Sequence, residues 1–253
     1  MEIVYVHKSL GDCAFVEVSE MSEEPFVYQY IRTEGYRSPH LAQYIELADA
    51  ISWQVLHEPS GLIATELATG IERLLAREGY SAGQNNVVML RCYGEGWYSI
   101  SCIGTSLYKG LDLRAYRPNA ITVEVGGLYA GLPTSAAFAE SKLLEEYVRN
   151  EGAGAYVAVD ARDRVVSVDG ATPFLVRQGR IAVSRRSWSV EAQIVMQALE
   201  RAGREVEVRE IMVDELAGAD EAWGVGYEGI TSLMECDGRV YSDIIADATA
   251  RRL

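Results

Sequence analysis

Amine chemistry in this chain depends on three lysines, Lys8, Lys109 and Lys142. A lysine amine can form a Schiff base with a carbonyl group, so a chain with so few lysines has few candidates for that role. Lys142 precedes Glu145 and Glu146 in the segment SAAFAESKLLEEYVRN, which the spacing predicts to be helical. An ion pair between Lys142 and Glu146 on a solvated helix face is the simpler prediction, with a relocated Schiff-base lysine as the alternative.

The cysteines and histidines indicate no metal chemistry. The four cysteines contain no C-x-x-C pair, and the three histidines show no metal-type spacing with them. We therefore predict no metal site, and we expect Cys13, Cys92, Cys102 and Cys236 to be free thiols in a cytoplasmic protein. The glycines of the segment CYGEGWY lack the G-K-[ST] ending of a phosphate loop and predict a β-turn instead.

Charge and hydropathy exclude two classes of partner. The formal net charge is −14, whereas nucleic-acid-binding proteins need clustered Lys and Arg to contact phosphates. No apolar run approaches the roughly 20 residues that span a bilayer. We predict neither a nucleic-acid partner nor a membrane segment.

Three arginines could bind an anionic ligand. Arg91 lies in the β-like run NNVVMLRCYG, and its simplest role is a structural ion pair with one of the 37 acidic residues. Arg185 and Arg186 precede a predicted helix, where they either meet a substrate carboxylate or form a solvated turn. Tyr93, Tyr129 and Tyr227 also fall in segments that could line a cleft.

The elements that must position these residues alternate between strands and helices. Residues 1–10 and 26–33 are β-like runs that we expect to pair as an opening hairpin. Ser38 and Pro39 predict the cap and first position of a helix, and a second helix is expected over 64–79. Strands follow, then a third helix over 135–152, four short strands over 155–184 and a fourth helix over 189–203. The third helix has an apolar face of Ala136, Ala137, Leu143, Leu144, Tyr147 and Val148.

Several segments resemble fold type IV of the pyridoxal-phosphate (PLP) enzymes, the class IV aminotransferases. GDCAFVEV resembles the opening strand of that family, HLAQYIELADAI its first helix, and AVDARDRVVSVDGATPF its "D-x-x-G-x-V-x-E-G-x-x-x-N-x-F" segment. ADEAWGVGYEGITSLMECDGR resembles its late "A-D-E-V-F-x-x-G-T" segment. The resemblance implies a two-domain α+β fold, with domains 1–113 and 114–253, an interdomain cleft and a homodimer. The family includes branched-chain and D-amino-acid aminotransferases and aminodeoxychorismate lyase.

The resemblance also implies where catalytic and cofactor-binding groups would lie. The Schiff-base lysine corresponds to Thr134, and the carboxylate that faces the pyridine nitrogen corresponds to Ser167. Asp169 could substitute for that carboxylate, because residues two apart on a strand share a face. The family's phosphate-binding positions are all substituted in this chain, at Gln43, at Ser189, Val190 and Glu191, and near Val225 and Gly226.

These substitutions leave three functional hypotheses. The first is a PLP-independent small-molecule-binding protein or pseudoenzyme with its ligand in the interdomain cleft, which the loop 167–173 would border. The alternative is a PLP-dependent amino-acid aminotransferase or aminodeoxychorismate-lyase-like enzyme, with Lys142 replacing the missing amine. In the third, Thr134, Ser167 or Asp169 acts without a cofactor.

Overall fold

Two compact units make up the chain. The computed structural model describes residues 3–7, 13–17, 24–105, 111–127, 129–185 and 189–253. The first unit comprises Met1–Lys109 and Pro133–Ala136, and the second comprises Gly110–Leu132 and Ala137–Leu253. Each unit combines sheets with helices, which confirms the predicted α+β class.

One antiparallel five-stranded sheet forms the first unit, in the order β2-β1-β5-β4-β3. Its strands are β1 (Ile3–His7), β2 (Cys13–Glu17), β3 (Val27–Glu34), β4 (Asn85–Gly94) and β5 (Trp97–Thr105). The predicted pairing of runs 1–10 and 26–33 as a hairpin is wrong. β1 lies between β2 and β5, whereas β3 pairs with β4 at the edge of the sheet.

Helices α1 (Leu41–Val55) and α2 (Ala64–Arg77) belong to the same unit. A Cβ on Gly70 of α2 would lie 2.8 Å from Tyr5 and 3.3 Å from Ile100, so the missing side chain lets the helix approach the sheet closely. The predicted cap of α1 is wrong. Residues 39–40 form a turn, His40 occupies the N-cap position, and the buried Ser38 hydroxyl has no hydrogen-bond partner among the described residues.

The second unit contains two five-stranded sheets. One has the order β11-β10-β9-β12-β13 and the other the order β15-β14-β6-β7-β8. The strands are β6 (Asn119–Glu124), β7 (Ala155–Val159), β8 (Val165–Val168), β9 (Thr172–Arg177), β10 (Arg180–Ser184), β11 (Val206–Arg209), β12 (Glu221–Gly226), β13 (Gly229–Ser232), β14 (Glu235–Cys236) and β15 (Arg239–Val240). The helices are α3 (Ser135–Asn150, from its third residue), α4 (Val190–Arg201), α5 (Ile244–Ala250) and a 3-10 helix (Val213–Gly218).

Alternating apolar residues arrange these elements in four layers. The two sheets pack face to face through a core that includes Val157, Val165 and Leu175. Helices α4 and α5 cover the other face of the β9–β13 sheet, around the stacked rings of Phe174 and Trp223. Helix α3 covers the other face of the β6–β8 sheet through Val148.

Two predictions about local structure need correction. The apolar face predicted for α3 is only partly covered, since Leu143 is 73% exposed and Tyr147 is 49% exposed. The predicted loop 167–173 is mostly strand, because Ser167 lies in β8 and Thr172 begins β9. Three residues, 169–171, join these strands, and a bridge between Val168 and Ala171 closes the turn. No helix in the described ranges is long and apolar enough to span a membrane.

Candidate functional site

One face of the first unit's sheet carries a cluster of tyrosines around an arginine. The strand register places Tyr28 opposite Arg91, and Arg91 opposite Ser99. Residues opposite each other in neighbouring strands project from the same face. Helix α2 packs against the opposite face, at Tyr5 and Ile100. We call this group the Arg91 cluster; its members are Phe26, Tyr28, Tyr30, Arg91, Tyr93, Ser99 and Ser101.

Hydrogen bonds and ring contacts hold the Arg91 cluster together. Arg91 Nη1 donates to Ser101 Oγ at 3.1 Å, and the Arg91 guanidinium carbon lies 5.8 Å from the centroid of the Phe26 ring. The Tyr93 hydroxyl lies 3.2 Å from Ser99 Oγ. No carboxylate of the described residues pairs with Arg91, so the predicted ion pair is not observed within this part of the chain.

Burial controls the ionisation of the tyrosines in this cluster. Burial raises the pKa of Tyr28, and the neighbouring Tyr30 raises it further. Burial also raises the pKa of Tyr93, although its hydrogen bond with Ser99 and the Arg91 charge oppose the shift. Both hydroxyls therefore stay protonated at neutral pH and can donate hydrogen bonds.

The structure places Thr134 beside the strand that carries Tyr28. Residues 133–135 run along β3, where Tyr28 N donates to Pro133 O and Ser135 N donates to Phe26 O, each at 2.8 Å. Thr134 is buried and forms an isolated antiparallel β-bridge with Val27. Gln43, the other candidate in the first unit, lies on α1 with its Oε1 2.7 Å from His40 Nδ1.

In the second unit, Ser167 lies on β8, whereas Ser189, Val190 and Glu191 lie at the start of α4. Ser189 occupies the N-cap position, and its Oγ accepts from Ala192 N at 3.0 Å. Thr172 Oγ1 at the start of β9 lies 3.2 Å from the same hydroxyl. Val190 and Glu191 in the first turn are buried. A carboxylate in the first turn is favoured by the helix dipole.

A tight hairpin closes against the end of β12 in the same region. Val168 and Ala171 exchange two backbone hydrogen bonds, and Asp169 and Gly170 between them have φ values of 52° and 76°. This is a type I′ turn, which suits an Asp-Gly pair. A Cβ on Gly226 would lie 3.2 Å from the Ala171 Cβ, so β12 passes close to the hairpin.

The carboxyl group of Asp169 in this hairpin has an unusual pKa. Burial raises the pKa of Asp169 to about 6; the Glu228 carboxylate adds to the rise and the Arg114 guanidinium opposes it. Arg114 Nη1 pairs with Glu228 Oε2 at 2.6 Å and donates to Thr231 Oγ1 at 3.3 Å. The prediction that Ser167 and Asp169 project from the same face of one strand is wrong. β8 ends at Val168, and Asp169 lies in the turn with a left-handed backbone conformation.

Comparison with known proteins gives the same architecture. No family model matches the sequence, and no curated protein matches it. A branched-chain aminotransferase from Thermoproteus uzoniensis, solved with norvaline, superposes with a TM-score of 0.78 over 99% of this chain and 93% of that chain, at 17% identity. The chain has the fold of the fold IV transaminases.

Two further solved structures agree with this assignment. A fold IV transaminase from Curtobacterium pusillum has a TM-score of 0.74 over 100% of this chain and 97% of its own, at 15% identity. A hypothetical aminotransferase from Mycobacterium tuberculosis, bound to α-ketoglutarate and PMP, has a TM-score of 0.77 over 98% and 96%, at 14% identity. The resemblance predicted from the sequence is confirmed at the level of fold.

On this fold IV scaffold, Lys142 is the only lysine among the described residues. Its Nζ donates to Glu145 Oε1 at 2.8 Å, and its side chain is 58% exposed. The predicted partner Glu146 instead pairs with Arg149 at 2.8 Å. The other two lysines, Lys8 and Lys109, lie outside the described residues, as does Arg186. Arg185 is exposed and its Nη2 lies 3.5 Å from Val208 O.

Sequence reasoning missed several polar contacts of this fold IV chain. The Arg114–Glu228 pair, the Thr172–Ser189 contact and the Arg91–Ser101 hydrogen bond each join residues that lie 10 to 114 positions apart. Alternation along β4 and β5 could have indicated that Arg91 and Ser99 share a face, but only if the register was known. Within the described residues, no group of three or more His, Cys, Asp or Glu could hold a metal ion.

Proposed function

We propose that this protein binds a small carboxylate-bearing molecule on the fold IV scaffold without holding PLP as a Schiff base. The observation that carries the proposal is the state of Lys142, the one lysine that the described ranges contain. A Schiff-base lysine needs an amine that is directed into a binding site. Lys142 is instead largely exposed and paired with Glu145.

The other positions where the resemblance places cofactor contacts support the same proposal. Ser167 supplies a neutral hydroxyl where a carboxylate would keep a pyridine nitrogen protonated. At α4, Ser189 already accepts from the Ala192 amide, and the buried Glu191 carboxylate would repel a phosphate dianion. These residues do not fit covalently held PLP.

The Arg91 cluster supports a carboxylate ligand. A guanidinium binds a carboxylate through two parallel hydrogen bonds, and Arg91 has a neutral serine rather than an acid as its partner. Tyr28 and Tyr93 stay protonated, so their hydroxyls can donate to the same carboxylate. Phe26 offers an apolar surface beside the guanidinium. The ligand of this proposal is therefore a small organic acid.

Absorbance spectroscopy tests the absence of a Schiff base. Purified protein is incubated with PLP, reduced with borohydride and mapped by peptide mass spectrometry, with Lys142→Ala as the matched variant. We expect the spectrum of free PLP and no labelled peptide in either protein. A band that reduction removes, with the label on one lysine, would contradict the proposal and favour a PLP-dependent aminotransferase.

Calorimetric titration tests the carboxylate site independently of PLP. The probes are α-ketoglutarate and norvaline, the ligands of two fold IV structures. We expect Arg91→Gln to weaken binding at least about tenfold, because hydrogen bonds to charged groups are each worth about 1.5–3 kcal/mol. Arg37→Gln, which removes an exposed arginine of the same unit, is the control. Equal affinity for wild type and Arg91→Gln would exclude Arg91 as the ligand contact.

We also propose that the protein is a homodimer, as the resemblance to class IV aminotransferases implies. Sedimentation velocity over a hundredfold range of concentration tests this state. A single monomeric species across the whole range would contradict it.

A further inference from the structure

A cavity lies in the second unit, on the β9–β11 part of its sheet. Its volume is about 350 Å³, within the roughly 300–1,000 Å³ range of small-molecule sites. The buried residues Leu175 and Ala182 are part of its lining. None of the residues in the proposed function lines it. We call this cavity the β9–β11 groove.

Two arginines on its rim stand directly opposite each other. Arg177 ends β9 and Arg180 begins β10, and the two are Cα partners across the hairpin. Gln178 and Gly179 form the connecting type I′ turn, with φ values of 51° and 77°. Like charges directly opposite in a sheet destabilise it. The hairpin therefore holds a repulsive pair that an anion would relieve.

Neither the Arg177 nor the Arg180 guanidinium forms a hydrogen bond or ion pair with a described residue, although the Arg177 charge helps to lower the pKa of Glu215. The Arg177 guanidinium is held against the backbone of Gly218, where an added Cβ would lie 3.4 Å from its central carbon. A packed guanidinium loses less side-chain freedom when it binds a ligand.

Two of the three glutamates in the groove lining pair with Arg209, which also lines the groove. Arg209 forms a two-pronged pair with Glu215, at 2.8 and 2.7 Å, and its Nε lies 3.3 Å from Glu207. These contacts leave Glu205 as the remaining acid in the lining, against the two rim arginines. The lining thus holds three arginines and three glutamates, and the Asp220 carboxylate accepts from the Gln178 amide at the turn. Arg177 and Arg180 are the two arginines of this lining that make no side-chain hydrogen bond with a described residue.

We propose that the β9–β11 groove binds a small molecule with an oxyanion group on an apolar body. Arg177 and Arg180 would hold the oxyanion, a carboxylate or a phosphate, because paired guanidiniums match the geometry of either. The apolar body would lie on Leu175 and Ala182. This site is separate from the Arg91 cluster and does not depend on the function proposed above.

Calorimetry and methyl NMR test this groove with three probes: benzoate, phenyl phosphate and the uncharged benzamide. We expect one of the two anions to bind saturably and to shift the Leu175 methyl resonances, and benzamide to bind at least about tenfold more weakly. Arg177→Gln and Arg180→Gln should each reduce anion affinity at least about tenfold. Arg177→Lys, which keeps the charge, should restore part of it.

Two further substitutions separate this site from general charge effects and from the Arg91 cluster. Arg162→Gln removes an exposed arginine of the same unit outside the groove and should leave the affinity for the anion within about twofold. All proteins in this series also carry Arg91→Gln, so that a carboxylate bound at the Arg91 cluster does not contribute to the titration. The proposal fails if the Arg91→Gln protein shows no saturable binding, or if Arg162→Gln weakens binding as much as Arg177→Gln. Near-UV circular dichroism verifies that each variant is folded.

Discussion

The hydroxyl groups of Thr172 and Ser189 lie 3.2 Å apart at the point where β9 begins and α4 starts. Ser189 also accepts from Ala192 N, and its Oγ lies 3.5 Å from Val225 O. One hydroxyl therefore connects the first strand residue of β9, the end of β12 and the first turn of α4. The N-terminus of this helix, which suits an anion, is capped by the chain itself.

Replacing Ser189 by alanine removes this cap. We expect Ser189→Ala to lower the free energy of unfolding by about 1 kcal/mol, because an N-cap hydroxyl typically contributes that amount. Urea unfolding measures the loss, and hydrogen exchange should show faster exchange at Ala192. Ser81→Ala is the control, since the backbone amide of Ser81 rather than its hydroxyl makes its hydrogen bond. Unchanged exchange at Ala192 would contradict the capping role.

The close approach of β12 to the β8–β9 hairpin requires a glycine at position 224. An added Cβ would lie 3.0 Å from Val168 O and 3.1 Å from the Ala171 Cβ. We expect Gly224→Ala to destabilise the protein by about 1–3 kcal/mol, the usual cost of overpacking. Thermal unfolding measures this, with Gly126→Ala as the control because its Cβ would meet nothing within 4 Å. Similar melting temperatures for the two variants would refute the steric argument.

Local patterns predicted the helices of this chain better than its strand pairings. The start of α4 at 189–190 follows from a capping serine before a periodic apolar run, and both lie in one short segment. The neighbours of β1 could not be predicted in this way, because β5 lies more than 90 residues away in the chain. The overall fold was predictable because many motifs in the right order constrain it together.

Side-chain partners in the candidate site were the least predictable feature. The residue types of Arg91 and Lys142 indicate charge, but not which of the many acids lies within reach. The structure gives Arg91 a serine and Lys142 the acid three residues on, instead of the acid four residues on. Leu143 and Tyr147 show the same limit, since apolar periodicity predicts a face and not what covers it.

The buried carboxylate of Glu221 stabilises the start of α5. Its Oε1 accepts from Ile245 N at 2.7 Å and its Oε2 from Ala246 N at 3.1 Å, and the residue is 2% exposed. Glu221→Gln replaces one acceptor oxygen by an NH₂ donor that faces a backbone N–H. We expect a loss of about 1–3 kcal/mol in the free energy of unfolding.

Hydrogen exchange localises this effect to α5. The amides of Ile245 and Ala246 should lose protection in Glu221→Gln and keep it in Glu200→Gln, an exposed acid of α4. If both variants exchange like the wild type, the carboxylate does not hold the helix start.

The raised pKa of Asp169 predicts a pH-dependent stability. Burial first, and then Glu228, raise the pKa of Asp169 to about 6, whereas an aspartate in an unfolded chain titrates near 3.9. The folded state therefore binds this proton more tightly. The contribution of Asp169 to stability is fully present below about pH 4, is lost as the pH rises to about 6, and stays absent above it.

Asp169→Asn removes this loss and keeps a residue that suits the left-handed turn. We expect the variant to gain at most about 1 kcal/mol over the wild type at pH 7–8 relative to pH 4, because Asp169 is exposed and solvent screens its charge. Urea unfolding from pH 4 to 8 measures the difference. Asp163→Asn, at an exposed turn residue with φ of 58°, controls for the same exchange in left-handed backbone. A constant difference between Asp169→Asn and wild type across this range would mean that the folded state does not penalise the Asp169 charge, because turn preference alone does not vary with pH.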